Sequence, residues 1–273
     1  MRARPFWSRI LMIVAGLAMA STSVAAARQD ARLMTATQVL EELYRMPEQN
    51  IPTWLLERAY AVAVIPEVIK VGLAIGGRRG KGVLVVRKDD GSWSSPIFVN
   101  LTGGSVGFQL GVQSTDVVLV FTSRQSIEGI VGGKVTLGAD ASVAAGPVGR
   151  QSSAATDVGF TAQVYSYSRA KGLFLGVALD GSALTIDHRS NEQYYGRSGV
   201  LASEIMRFDT ATAPATAQTF IAALRKSMTS PDTAAPRPAT SPAQTPGTPA
   251  PASPSSVTTY PMEDPSPGTE PPP

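Results

Sequence analysis

Residues 82–100 read GVLVVRKDDGSWSSPIFVN, and this stretch decides the fold. The apolar run at 83–86 is typical of a buried strand, and residues 93–100 form its natural partner. Between them, Asp90-Gly91 favours a tight turn, because glycine adopts backbone angles that other residues avoid. The stretch therefore predicts a β-hairpin.

Further strand-like segments follow at 108–112, 117–121, 158–167 and 173–179. The connections between them are short and contain glycine and aspartate. Parallel pairing needs crossovers of about a dozen residues, so the sheet is predicted to be antiparallel. The chain has 25 glycines, which suits sharply coiled or closed strands.

Helical patterns flank the sheet. Thr37 is expected to cap a helix that carries Val39, Leu40 and Leu43, and a second helix is expected from Pro52. Others are predicted at 124–130, 203–208 and 216–228. The predicted fold class is α+β: a highly curved antiparallel β-sheet or barrel with packed N-terminal and C-terminal helices, plus a disordered Pro-rich tail.

Both ends of the chain differ from its middle. Residues 1–27 are typical of a secretory signal: three arginines, an apolar segment at 10–20, and small residues before the expected cleavage site. The apolar segment falls short of the ~20 residues that span a bilayer, so cleavage is expected, with an uncleaved anchor as the alternative. Residues 229–273 hold 14 of the 21 prolines and predict a disordered tail. Residues 28–228 are then one domain.

Composition excludes several kinds of site. The chain has no Cys and a single His, His188, so thiol catalysis, disulfides and multi-histidine metal sites are excluded, and neither a metal nor another cofactor is expected. Removal of Arg2, Arg4 and Arg9 with the signal leaves 21 basic residues against 21 acidic ones. A neutral mature chain gives no support for nucleic-acid binding.

One motif suggests a hydrolase. Residues 103–107, GGSVG, match G-x-S-x-G, and Asp157, Asp180 and His188 follow Ser105 in the chain order of α/β-hydrolases. In those enzymes the serine lies at a strand-to-helix turn, whereas residues 108–112 here have a strand pattern. A serine esterase therefore remains only the alternative, and the chain is expected not to be an enzyme and to have no catalytic residues.

A second motif is basic and rich in glycine. Residues 76–82, GGRRGKG, depart from the phosphate loop of nucleotide hydrolases in spacing and in the residue after the lysine. As an exposed loop they would still offer backbone N–H groups and cations to a phosphate. The expected phosphate-binding residues are Lys70, Arg78, Arg79 and Lys81, and an ordinary solvated loop is the alternative.

Residues 55–197 resemble the SYLF domain family through an ordered series of short segments. These are AVAVIPEVIKVG at 61–72, GKGV at 80–83, GSWSSP at 91–96, GFQLG at 107–111, LGAD at 137–140, AGPVGR at 145–150, YSYS at 165–168 with GLFLG at 172–176, and NEQYYG at 191–196. The resemblance implies a non-enzymatic module that binds anionic lipid headgroups, phosphoinositides in eukaryotic members. The matching headgroup-binding positions are Lys70, Arg78, Arg79 and Lys81. Some eukaryotic members also bind actin.

Two departures from the family shape the expectation. The predicted signal implies an exported protein, periplasmic or secreted and peripherally associated with an anionic membrane, so actin is not expected as a partner. The absence of Cys removes the lipid anchor that many bacterial members carry. A further alternative is a structural envelope protein that works through its Pro-rich tail.

Overall fold

The computed structural model describes residues 6–45, 51–72, 75–106, 111–147, 162–170 and 173–228. They lie in one unit, Met1–Thr233. The predicted tail, residues 229–273, and Asp157 lie outside the described residues.

The strands of this part of the chain form one sheet in the order β5-β9-β3-β2-β1-β4-β7-β6, with β8 paired to β7. The sheet curls strongly into a half-barrel, which confirms the predicted fold class. The described strand pairs are antiparallel except β6–β7, which is parallel. The strands are β1 Ala61–Gly72, β2 Ile75–Val86, β3 Ile97–Val106, β4 Gly111–Phe121, β5 Lys134–Thr136, β6 Val143–Ala145, β7 Val164–Ala170, β8 Leu173–Gly176 and β9 Ser182–Ile186.

The predicted hairpin is present and is longer than its apolar part suggests. Strands β2 and β3 pair from Ile75–Val106 to Leu84–Ile97, and a bridge between Arg87 and Trp93 closes the turn. Gly91 in that turn has φ +79°, a conformation that favours glycine.

The described helices pack on both faces of the sheet. They are α1 Phe6–Arg45, α2 Thr53–Glu57, α3 Arg124–Val131, α4 His188–Tyr195, α5 Ala202–Ile205 and α6 Ala215–Met228. The prediction that Thr37 begins a helix is wrong. Thr37 lies inside α1, where its Oγ1 donates to the Leu33 carbonyl at 2.8 Å. No helix in the described ranges is long and apolar enough to cross a membrane.

The sheet separates two apolar cores. Val83 and Val85 of β2 face one core, which α1, α2 and α6 cover. Leu84 and Val86, on the other side of the same strand, face the second core, to which α3 and α5 contribute. We call these the α1 face and the α3 face of the sheet. Burial on both faces explains why β2 is apolar without alternation at 83–86.

A bulge divides β1 into a buried and an exposed part. Residues 61–66 are buried, and the register with β4 shifts between Ile65 and Val68. Glu67, in the bulge, has φ +50°, and its backbone N–H donates to Asp116 Oδ1 at 2.9 Å. Beyond the bulge, Ile69 and Val71 are 48% and 50% exposed. The far ends of β1 and β2 thus extend past the core that α1 covers.

Candidate functional site

The four predicted headgroup-binding residues lie on strands, so the prediction of a flexible basic loop is wrong. Lys70 belongs to β1, and residues 76–82 belong to β2. The glycines of this segment allow close packing. A Cβ on Gly82 would lie 2.3 Å from the Val64 carbonyl oxygen, and one on Gly80 would lie 2.6 Å from Ile65 Cγ2.

The structure separates these cations into two pairs. Side chains alternate along a strand, so Arg79 and Lys81 share the α1 face with Val83. Arg78 lies on the α3 face, and Lys70, its register partner on β1, lies there as well. The sheet therefore brings the cations to one region of two strands without placing them on one surface.

Lys81 is part of an ion pair that holds three elements together. Its Nζ donates to Asp187 Oδ2 at 2.9 Å, and the side chain of Asp187 is 9% exposed. Asp187 also caps α4, since it accepts from the Ser190 backbone N–H at 3.1 Å and from Ser190 Oγ at 2.8 Å. Arg32 of α1 lies 3.8 Å from the same carboxylate oxygen. Lys81 is therefore paired within the protein, and the two cations with their one shared carboxylate keep a net charge of +1.

The pKa of Asp187 reflects this arrangement. Burial opposes its ionisation, but hydrogen bonds from Lys81 and Ser190 outweigh burial and lower its pKa. The carboxylate is consequently charged at neutral pH. Neither Asp187 nor Arg32 was singled out from the sequence, because the partners come together only in the fold.

Arg78 is likewise occupied on its own face. Its Nη1 donates to the Ala178 carbonyl at 3.4 Å, and the guanidinium is partly buried. Burial lowers the pKa of Arg78, and the nearby Asp180 carboxylate opposes that effect. Arg79 and Lys70, in contrast, form no ion pair with any described residue.

A groove of about 760 Å³ opens on the α1 face, between α1 and the exposed ends of β1 and β2. We call it the α1 groove. Arg79 and Lys81 contribute cations to it, Ile69 and Val71 contribute exposed apolar surface, and Glu67 contributes one acid. Its other lining residues are Ala31, Arg32, Thr35, Pro66, Gly77, Arg78 and Gly80. Such a groove combines cations with apolar surface, as an amphiphile with an anionic headgroup requires.

A second, partly buried charge cluster lies beside the wall of this groove. Asp116, which receives the Glu67 N–H, also accepts from Arg169 Nε at 2.8 Å. Arg169 in turn contacts Glu42 of α1. These contacts fix the bulge relative to α1 and thereby fix the mouth of the groove.

A second cavity, of about 650 Å³, lies at the other end of the strands. Three of its four cations, Arg87, Lys88 and Arg124, make contacts within the protein, whereas the fourth, Arg207, is exposed. Arg124 Nη2 donates to Asp89 Oδ1 at 2.8 Å, and Lys88 Nζ donates to the Phe208 carbonyl at 3.0 Å. The α1 groove is therefore the better candidate for an anionic ligand.

The hydrolase alternative lacks its structural context. Ser105 lies within β3, where it pairs with Gly76, and the next described element is strand β4. A nucleophile elbow needs a strand-to-helix turn at that serine. His188 is the first residue of α4, directly after the Asp187 cap.

The sequence is similar to those of known proteins. Residues 102–227 match the Ysc84 family, described as "Las17-binding protein actin regulator". Protein YSC84 of Saccharomyces cerevisiae is 40% identical over 152 residues, which cover 55% of this chain and 32% of that protein. SH3 domain-containing YSC84-like protein 1 of Xenopus laevis is 33% identical over 161 residues, which cover 59% of this chain and 48% of that protein. The chain thus spans between a third and a half of the length of these relatives.

These findings correct one expectation. Because of the predicted signal peptide, actin was not expected as a partner, and that expectation is wrong, because the matched family is described as an actin regulator. Relatives in yeast carry the name "LAS seventeen-binding protein 3". The names describe binding and regulatory proteins. The resemblance to the SYLF family is therefore confirmed by the match of residues 102–227 to the Ysc84 family and by the 40% identity to Protein YSC84.

Proposed function

We propose that this domain is a non-enzymatic module that binds the anionic headgroup of a membrane lipid in the α1 groove. The observation that carries the proposal is the position of Arg79, an exposed cation paired in register with the half-exposed Ile69. A lipid offers the same combination, a phosphate next to apolar chains.

The electrostatic contribution is modest. Lys81 is offset by Asp187, and Glu67 adds a negative charge to the wall. Each unpaired cation near an anionic surface contributes about 1 kcal/mol. Arg79 with a share of Arg32 would supply only a few kcal/mol at most, so apolar contacts must supplement them.

Vesicle co-sedimentation tests the proposal. The full chain is mixed with vesicles of phosphatidylcholine alone, of phosphatidylcholine with phosphatidylserine, and of phosphatidylcholine with a phosphoinositide. Binding is expected only to the anionic vesicles. Replacement of Arg79 by Glu changes the local charge by two and should weaken binding by about 30-fold, since roughly 2 kcal/mol is lost.

The matched control is Arg207→Glu, an equal charge reversal at an exposed arginine beside the second cavity. It should change binding by less than about twofold if attraction is local. Equal binding to neutral and anionic vesicles, or equal losses in both variants, would refute the groove as the site.

We also propose that the protein is exported and that cleavage follows residue 27. After the predicted cleavage site, the first buried residue of α1 is Gln29, and the first residue of α1 in the apolar core is Leu33. Cleavage there would leave these contacts intact. The mass and the N-terminal sequence of the exported protein test this proposal. A protein that retains residues 1–27 would refute cleavage.

A second candidate function is regulation of actin through direct binding to actin filaments, and the family description "actin regulator" favours it. Co-sedimentation of the purified chain with actin filaments tests the simplest form. Saturable pelleting with filaments, unaffected by Arg79→Glu, would support a protein-binding role separate from the α1 groove.

A further inference from the structure

Three exposed apolar side chains lie together on the α1 face at the far ends of β1 and β4. Val71 pairs with Val112, and Ile69 lies two residues back along β1. Their exposed fractions are 50%, 72% and 48%. Isolated exposed apolar residues are common, but adjacent ones on two paired strands form a continuous surface.

Cations lie directly behind this surface. Arg79 pairs with Ile69, and Gly77 pairs with Val71. Arg79 is therefore two residues behind the row formed by Val71 and Val112, which is about 7 Å along a strand. That distance matches the ~5–10 Å by which apolar groups of interfacial proteins enter the boundary between headgroups and acyl chains.

The opposite face of the same strands also carries cations. Lys70 lies between Ile69 and Val71 in β1 and points to the α3 face, next to Arg78. A membrane that contacts one face of the sheet can bind the cations of that face only. If the strand ends enter the membrane, cations of both faces lie at the level of the phosphates.

We propose that the ends of β1, β2 and β4 enter an anionic bilayer end-on, with Val71 and Val112 below the phosphates and Arg79 and Lys70 among them. This rests on the proposed lipid-binding function and assigns a bilayer, not a free headgroup, as the ligand. With this direction of approach, predicted cations on both faces of the sheet can contact headgroup phosphates.

The absence of cysteine from the chain permits a direct test. Val112→Cys is labelled with an environment-sensitive fluorophore and mixed with vesicles of phosphatidylcholine and phosphatidylserine. A blue shift with increased emission is expected, because the label leaves water. The control, Gln125→Cys, lies on α3 next to the end of β4 that is remote from Val112, and should show no shift.

Affinity measurements separate insertion from headgroup binding. Val112→Asp should weaken vesicle binding at least tenfold, whereas binding of soluble glycerophosphoserine should stay within twofold. Arg79→Glu should weaken both. Circular dichroism checks the fold of each variant, and Val112→Ser supplies a milder replacement at the same position.

Each outcome bears on the proposal. A shift at position 112 with a selective loss in Val112→Asp supports insertion. An unchanged vesicle affinity in Val112→Asp together with a loss in Arg79→Glu would overturn insertion while leaving headgroup binding intact. Loss in neither variant would overturn both, and equal shifts at positions 112 and 125 would show adsorption without a preferred orientation.

Discussion

The ion pair between Lys81 and Asp187 should stabilise the fold, and replacement of Asp187 measures how much. In Asp187→Ala, α4 loses its cap, which costs about 1 kcal/mol. Lys81 and Arg32 also lose their shared carboxylate. The full penalty of about 3–5 kcal/mol for a broken buried pair does not apply, because the Lys81 side chain is 43% exposed and solvent screens it.

We therefore expect Asp187→Ala to lower the free energy of unfolding by about 2–4 kcal/mol, or roughly 5–12 °C in Tm for a domain of this size. Asp187→Asn keeps a side-chain oxygen for the cap and should cost only about 1–2 kcal/mol. Urea denaturation followed by circular dichroism measures both. A cost below about 0.5 kcal/mol for Asp187→Ala, as at an ordinary surface position, would refute the reasoning.

The pH dependence provides an internal check. The folded-state pKa of Asp187 is lowered below its ordinary value of about 3.9. Its contribution is thus fully present above that value and is lost as the pH falls through the folded pKa. The stability difference between the wild type and Asp187→Asn should be constant from about pH 5 to 8 and shrink only in stronger acid.

Four other predictions concern three single positions and the C-terminal residues 229–273. Gly82→Ala should destabilise the fold by about 1–3 kcal/mol, because the new Cβ would lie 2.3 Å from the Val64 carbonyl oxygen. Gly104→Ala, with nothing within 4 Å of its Cβ, should be near neutral in the same denaturation assay. Ser105→Ala should leave any background hydrolysis of a p-nitrophenyl ester unchanged, and a loss would revive the esterase alternative. Deletion of residues 229–273 should leave Tm and vesicle binding unchanged, since α6 ends at Met228; a marked loss of either would assign the tail a role.

Much of the fold was predictable because its signals are local. The Asp90-Gly91 turn, the apolar runs on either side and the short connections indicate antiparallel strands without reference to the rest of the chain. The helical periodicity near the C-terminus predicted α6 within one residue of its start. The prediction at Thr37 was wrong because threonine can either cap a helix or, inside a helix, donate to the carbonyl four residues back. Only the length of α1 distinguishes these two roles.

The candidate site was predictable only in part. The sequence identified the basic residues of the segment, and the structure places Lys70 and Arg79 at the ends of β1 and β2 without an ion pair to any described residue. Residues 76–82 were misread as a loop, because glycine is equally typical of flexible turns and of close strand packing. Which of these applies depends on the β1 bulge that passes beside Gly80 and Gly82.

The sequence by itself determined the fold class, the hairpin and the resemblance to the SYLF family, because each depends on patterns that are read along a few neighbouring residues. Only the tertiary structure decided which cations are available. Lys81 is paired with Asp187, a residue 106 positions away, and the face of each side chain follows from strand register and from one bulge. Such relations arise when distant segments pack, so no local pattern records them.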